Sequence, residues 1–209
     1  MKTQTDIIFI IDRSGSMNGL EQDTIGGFNS FLKKQKRLKD QARISTILFD
    51  HEIQVLHNNM DISKVKYLTN KDYQVRGMTA LYDAIGITIT SYLNMSKNQK
   101  LFAGNKVEVV IITDGYENAS TRYSGNQIRS MIEEMKSQDW QFIFLGANID
   151  AKDVGNHLGI DRDKTVNVKF EDAGLDVMFE AVSNITEDCR KNKLYNPKNM
   201  APIIKHYQK

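Results

Sequence analysis

The sequence predicts an α/β fold on a central, largely parallel sheet with one antiparallel strand at its edge. Short apolar runs at Ile7–Ile11, Val107–Ile112 and Trp140–Leu145 read as strands. Stretches with apolar residues at helical spacing separate them. Strands alternating with helices build βαβ units, and these pair in parallel. Arg43–Phe49 and Glu52–His57 are joined by a turn at Asp50-His51, which is short enough to force that pair antiparallel. Such a strand belongs at an edge.

Taken in order, Ile7–Ile11 is mostly β-branched, as in a strand buried on both faces. Asp6 precedes it at the opposite rim and reads as solvated. Leu20, Phe28, Phe31, Leu32 and Leu38 then recur at helical spacing, so a first helix spans about 19–39. Gly26-Gly27 inside it weaken a helix, which points to close backbone packing there. After the hairpin, 64–68 and 73–75 are irregular segments hugging the surface. A helix opens at Met78, with Leu81, Ala84, Ile85, Thr88, Ile89 and Tyr92 on one face. Ser124–Ser137 is helical, with Ile128, Met131, Ile132 and Met135 in phase. A loop at Gly146-Ala147-Asn148 leads into a short helix near Ala151–Leu158. Thr165–Phe170 is the last strand and Leu175–Cys189 the last helix. Beyond Lys191 the pattern weakens. Residues 1–191 are therefore expected to form one domain, and 192–209 a loosely docked tail.

The 209 residues carry a net charge of +2, which gives no push towards nucleic acid or an anionic membrane. The one cysteine, Cys189, cannot close an internal disulfide and reads as packing in the last helix, compatible with a reducing compartment. Ile7–Ile11 is too short for a signal-peptide core, and no apolar run approaches membrane-spanning length. A soluble, cytoplasmic protein, monomeric on its own, is the expectation. Lys33, Lys34, Lys36, Arg37 and Lys39 cluster at a helix end, where they complement the helix dipole on a solvated face. The four histidines are scattered without ligand spacing.

Chemistry concentrates where strands stop. Asp12-x-Ser14-x-Ser16 places three hard oxygen donors on one tight loop. In open α/β sheets ligands bind just outside the carboxyl ends of the strands. Thr79 follows Gly77-Met78 at the mouth of a helix, and Asp114-Gly115 follows the second strand. Oxygen-only donors suit Mg²⁺, Mn²⁺ or Ca²⁺ rather than zinc or copper.

These residues resemble the von Willebrand factor A domain and its metal-ion-dependent adhesion site. The resemblance rests on Asp12-x-Ser14-x-Ser16, on Gly77-Met78-Thr79-Ala-Leu-Tyr-Asp83-Ala, and on Ile-Thr-Asp114-Gly115. It covers about Asp6 to Cys189, and its local flavour is that of small stand-alone bacterial and phage members. It implies a doubly wound, Rossmann-like sheet with helices on both faces. It also implies a metal held by Asp12, Ser14, Ser16, Thr79 and Asp114: hydroxyls of Ser14 and Ser16 directly, Thr79 and the carboxylates directly or through water. Mg²⁺, with Mn²⁺ or Ca²⁺ as substitutes, would then capture a Glu or Asp of a partner protein, without catalysis.

Flanking residues have plainer readings. Asp83 either orients the metal loop or stabilises a helix N-terminus. Glu117 and Asn118 are candidate partner contacts, Met17 packs inward, and Arg13 is placed to present charge to a ligand carboxylate. The alternative function is a Mg²⁺-dependent phosphohydrolase or nucleotide-binding enzyme, since acid-tipped strands serve that chemistry. Against it, the sequence holds no Gly-x-x-x-x-Gly-Lys loop, Gly-x-Gly-x-x-Gly turn or Gly-x-Ser-x-Gly elbow.

Overall fold

The computed structural model describes residues 4–98, 104–168, 174–191, 193 and 195–200. In chain order the elements are β1 (Thr5–Asp12), α1 (Glu21–Gln35), β2 (Ala42–Phe49), β3 (Ile53–Asp61), α2 (Leu81–Asn98), β4 (Lys106–Thr113), α3 (Gly125–Ser137), β5 (Gln141–Ala147), α4 (Ala151–His157), β6 (Thr165–Val168) and α5 (Gly174–Arg190). The sheet order is β3-β2-β1-β4-β5-β6. All neighbours are parallel except β2 and β3, which pair antiparallel at the edge. The expected α/β architecture, mostly parallel with one antiparallel edge strand, is the one observed.

β1 lies between β2 and β4 and is buried along its length, so both of its faces must be apolar. Ile7, Phe9 and Ile11 meet α1 and α5, where Phe28, Phe31 and Phe179 crowd the Phe9 ring. Ile8 and Ile10 join the core under α2 and α3. Helices thus cover both faces. The chain runs outward from β1 to β2 and β3, then returns to the other side of β1 with β4. That reversal opens a crevice beyond the carboxyl ends of β1 and β4, the usual ligand position in such sheets.

Several boundaries move. β3 runs to Asp61 rather than His57, because irregular register lets Met60 pair with Ile44 and Asp61 with Arg43. The polar run His57-Asn58-Asn59 hid this extension, since an exposed edge strand needs no apolar alternation. α1 stops at Gln35, and α2 starts at Leu81 because Met78–Ala80 belong to a loop. The last strand is seen over Thr165–Val168; its expected remainder, 169–170, lies outside the described residues. Asp6 is not solvated: it is 2% exposed and accepts hydrogen bonds from the Tyr92 hydroxyl (2.6 Å) and Asn105 Nδ2 (3.0 Å). Glu108, inside the second apolar strand, is fully buried against Thr186, and burial pushes its carboxyl up to about 7.

Cys189 packs as expected, with burial pushing its thiol up to about 12. From the expected tail, Tyr195 donates to the Asp163 carbonyl (2.7 Å), Asn199 donates to Asp188 (2.8 Å) and Met200 is buried. Asn192, Leu194 and residues 201–209 lie outside the described residues. No helix among the described residues is long and apolar enough to cross a membrane.

The two α1 glycines differ in what surrounds them. A Cβ on Gly27 would stand 2.1 Å from the Phe179 ring, whereas one on Gly26 would meet nothing within 4 Å. Gly26→Ala should therefore stabilise the protein by about 1 kcal/mol through helix propensity alone. Gly27→Ala should destabilise it by about 1–3 kcal/mol by forcing Phe179 out of the core. Urea unfolding of both variants checks the pair; equal effects would contradict the packing account.

Candidate metal centre

Asp12 is the last residue of β1, and its side chain is fully buried. Two donors engage it: the Ser14 amide reaches Oδ1 at 2.7 Å, and the Thr113 hydroxyl at the end of β4 reaches Oδ2 at 2.5 Å. The Ser14 bond closes a tight turn that lifts the following residues over the strand end. Ser14 and Ser16 present hydroxyls 3.1 Å apart, and the Ser16 hydroxyl donates to Asp114 Oδ1 at 2.5 Å. Ser16 is exposed while Ser14, Thr79 and Asp114 are buried, so the cluster opens to solvent on the Ser16 side.

Thr79 arrives from a second loop. A Cβ added to Gly115 would stand 2.9 Å from Thr79 Oγ1 and 3.3 Å from Ser16 Oγ. A side chain at position 115 would have to displace the Thr79 hydroxyl, and the Thr79 and Ser16 hydroxyls converge beside it. All five residues singled out from the sequence meet at one place, from three loops at one rim.

Backbone and side-chain bonds stitch those loops together. Gly15 N donates to the Gly77 carbonyl (3.0 Å) and Arg76 N to the Arg13 carbonyl (2.8 Å), fastening the first loop to the second. Gly77 has φ of 71°, which a side chain would resist. Thr79 N donates to Asn118 Oδ1 (2.8 Å), and Asn118 N donates to the Thr79 carbonyl (3.0 Å), fastening the second to the third. Tyr73, fully buried, donates its hydroxyl to the Asp12 carbonyl at 2.5 Å.

Several flanking assignments sharpen or change here. Asp83 meets both expectations: it lies in the first turn of α2, and it accepts from the amides of Thr121, Arg122 and Tyr123, at 2.9 Å each, and so anchors the loop after β4 that carries Asp114. Glu117 does not face outward. It accepts from the amides of Tyr82, Ala119 and Ser120 and from the Ser120 hydroxyl. Asn118 is exposed, and its Oδ1 and backbone amide are taken by Thr79. Arg13 is 4% exposed and lies 3.0 Å from Asp50, so it offers no charge at the rim. Arg76 also pairs with Asp50, at 2.9 Å. Asp50, fully buried and read only as a turn residue, thus holds the arginine of each of two loops. Met17 packs down, as expected.

Electrostatically the centre is primed for a cation. Burial pushes the Asp12 carboxyl up to about 6, although the Thr113 and Ser14 bonds oppose the rise. Burial also raises Asp114 above the usual carboxylate range, against the Ser16 bond. Asp114 Oδ2 is buried and has no hydrogen-bond partner. A buried acceptor left so costs about 1–3 kcal/mol. Among the described residues no group of three or more His, Cys, Asp or Glu is placed to hold a metal ion, and no histidine or cysteine belongs to this centre. Two carboxylates and three hydroxyls are instead the donor set of a hard divalent cation, which takes six or more oxygens. The residues fit such an ion.

No curated protein matches the chain by sequence. The sequence profile of the von Willebrand factor type A domain matches residues 6–181. Among solved structures the chain is similar to the open conformation of the pilus adhesin SpaC from Lactobacillus rhamnosus GG. The TM-score is 0.65 at 14% identity, over 93% of this chain and 31% of that one. It is also similar to manganese-loaded TRAP protein of Plasmodium vivax (TM-score 0.57, 18% identity, 85% of this chain and 74% of that one). A third likeness is to proximal thread matrix protein 1 of the mussel byssus, with a zinc-occupied MIDAS motif (TM-score 0.57, 16% identity, 91% of this chain). The chain spans 46% of that mussel protein.

The raised Asp12 value has a definite sign. A carboxyl whose folded pKa exceeds its unfolded one favours the fold at low pH. That contribution is lost as pH rises from 3.8 through about 6. At neutral pH the metal-free chain carries the cost of an ionised buried carboxylate. Asp12→Asn removes the charge and keeps an acceptor for Ser14, so it should stabilise the metal-free chain by about 1–3 kcal/mol. Mn²⁺ at about 100 times its Kd should add about 2.7 kcal/mol to the native chain and nothing to the variant. Calorimetric melts in EDTA and in Mn²⁺ check both; an undiminished Mn²⁺ shift in Asp12→Asn would contradict the assignment.

Proposed function

This chain belongs to the von Willebrand factor type A domain family, and on that premise we propose that it is a non-catalytic module that grips a partner protein through a divalent cation. Asp12, Ser14, Ser16, Thr79 and Asp114 would hold the ion, with Mg²⁺ the expected occupant and Mn²⁺ or Ca²⁺ substitutes. The observation that carries this reading is Asp114 Oδ2, a buried carboxylate oxygen without a partner, beside two converging hydroxyls.

The ion supplies a Lewis-acidic position at the rim that an outside oxygen can fill. Five side chains fall short of the six ligands Mg²⁺ demands, three of them are neutral hydroxyls, and Asp12 is already engaged by two donors. An open, incompletely neutralised cation prefers an anionic ligand, and a protein offers one as Asp or Glu. The loops that present the site are fastened to each other, so little ordering cost falls on binding. The neighbouring cations Arg13 and Arg76 are both committed to Asp50, which leaves them unable to clamp a phosphate as the enzyme alternative requires. The manganese-loaded and zinc-occupied states of two similar structures are compatible with a divalent occupant.

Affinity capture from the native host with the wild-type chain in Mg²⁺ should recover a partner that Asp12→Ala and Asp114→Ala both lose. Circular dichroism should show both variants folded. Capture that persists in excess EDTA would overturn the proposal.

A further inference from the structure

Among the described residues five large apolar side chains are exposed: Val55, Met60, Tyr67, Met78 and Tyr116. Three have a local account. Val55 and Met60 lie on the edge strand β3, and Tyr67 has the Lys36 ammonium 5.0 Å from its ring centre. Met78 (56% exposed) has none, and Tyr116 (58%) leaves its ring in solvent although its hydroxyl is bonded. Both stand at the candidate metal centre, on different loops. Met78 immediately precedes Thr79. Tyr116 immediately follows Gly115, whose Cβ position is 2.9 Å from Thr79 Oγ1. Chain geometry therefore places both Cα atoms within roughly 8 Å of the Thr79 hydroxyl.

Neither side chain rides on loose backbone. The residue after Met78 is held at both its amide and its carbonyl by Asn118. The residue after Tyr116 is Glu117, whose carboxylate ties down three amides. The Tyr116 hydroxyl accepts from the Asp150 amide (3.1 Å), so the ring bridges the loop after β4 to the loop after β5. A pre-positioned aromatic beside a deformable methionine is the composition of a binding surface: Tyr supplies rigid area, and Met adapts to what it meets.

Resting on the reading of the centre as a carboxylate-capturing metal site, we propose that Met78 and Tyr116 select the sequence around the captured acid. In an extended strand side chains two residues apart share a face and lie about 6.6 Å apart. A partner segment that points Asp or Glu at the ion directs the side chains two positions before and after it at this rim. The chain thus recognises an extended acidic segment of the form apolar-x-(Asp/Glu)-x-apolar, with a large aliphatic or aromatic residue at one or both outer positions. Polar residues there would leave Met78 and Tyr116 in water and forfeit their contribution.

A peptide library with one fixed Glu between randomised positions, displayed on phage and selected on the immobilised full chain in Mn²⁺ with EDTA elution, tests this. Eluted clones should be enriched in Leu, Ile, Phe, Met or Trp at the second position on either side. A synthetic peptide of that kind should bind about tenfold tighter than its serine-flanked counterpart. Met78→Ser combined with Tyr116→Ser should erase that preference and leave the Mn²⁺-induced melting shift unchanged, because neither residue is a metal ligand. EDTA-eluted clones with no apolar preference would overturn the selectivity while sparing metal-dependent capture. Failure to enrich any EDTA-elutable clone would overturn the metal-capture reading itself.

Discussion

Asp12 is a carboxylate withdrawn from water at the end of the central strand, and much of the rim is arranged around that fact. β1 can be central only because both its faces are apolar, and the chain reverses direction on either side of it. The reversal leaves a crevice at the one point where the strand must end in something polar. Burial there disfavours the charge, as the raised Asp12 carboxyl records, while Ser14 and Thr113 offset only part of the penalty. A buried acid in that condition is stabilised by a proton or by a cation. The orphaned oxygen of Asp114 across the crevice favours the cation.

The remaining polar groups keep the donors where a cation would need them. Asp50 holds Arg13 and Arg76, Asn118 holds Thr79, and Asp83 with Glu117 gathers six amides of α2 and the loop after β4. Apart from the bonds of Glu117 to Ala119 and Ser120, these contacts join segments distant in sequence, so the loops behave as one support rather than three. That support matters because a hydroxyl is a weak ligand and contributes only when it is already in place. Only Ser16 among the donors is exposed, which directs an incoming ligand to one side.

Much of this was legible in the sequence because it depends on local pattern. Apolar runs ending in acids marked β1 and β4, and the same endings marked Asp12 and Asp114, since a strand end and a ligand position coincide in parallel sheets. Gly26-Gly27 announced a close contact, although only Gly27 makes it, and spacing cannot tell which of two adjacent glycines faces a neighbour. What stayed hidden were pairings across long separations. Arg13 looks available until Asp50 is folded against it, and Glu117 looks like a surface group until the start of α2 brings Tyr82 to it. Asp6 and Glu108 were unreadable for the same reason: a buried acid is recognised by its partners, and theirs lie 78 to 99 residues away.

The central claim is that these five oxygen-bearing side chains constitute one cation site. Titration of the metal-free chain with Mn²⁺, followed by electron paramagnetic resonance of the free ion, tests it without needing the partner. The account predicts that one Mn²⁺ is withdrawn per chain, that Mg²⁺ competes for the same position, and that Asp114→Ala abolishes uptake. No saturable uptake by the folded native chain, or equal uptake by Asp114→Ala, would contradict it.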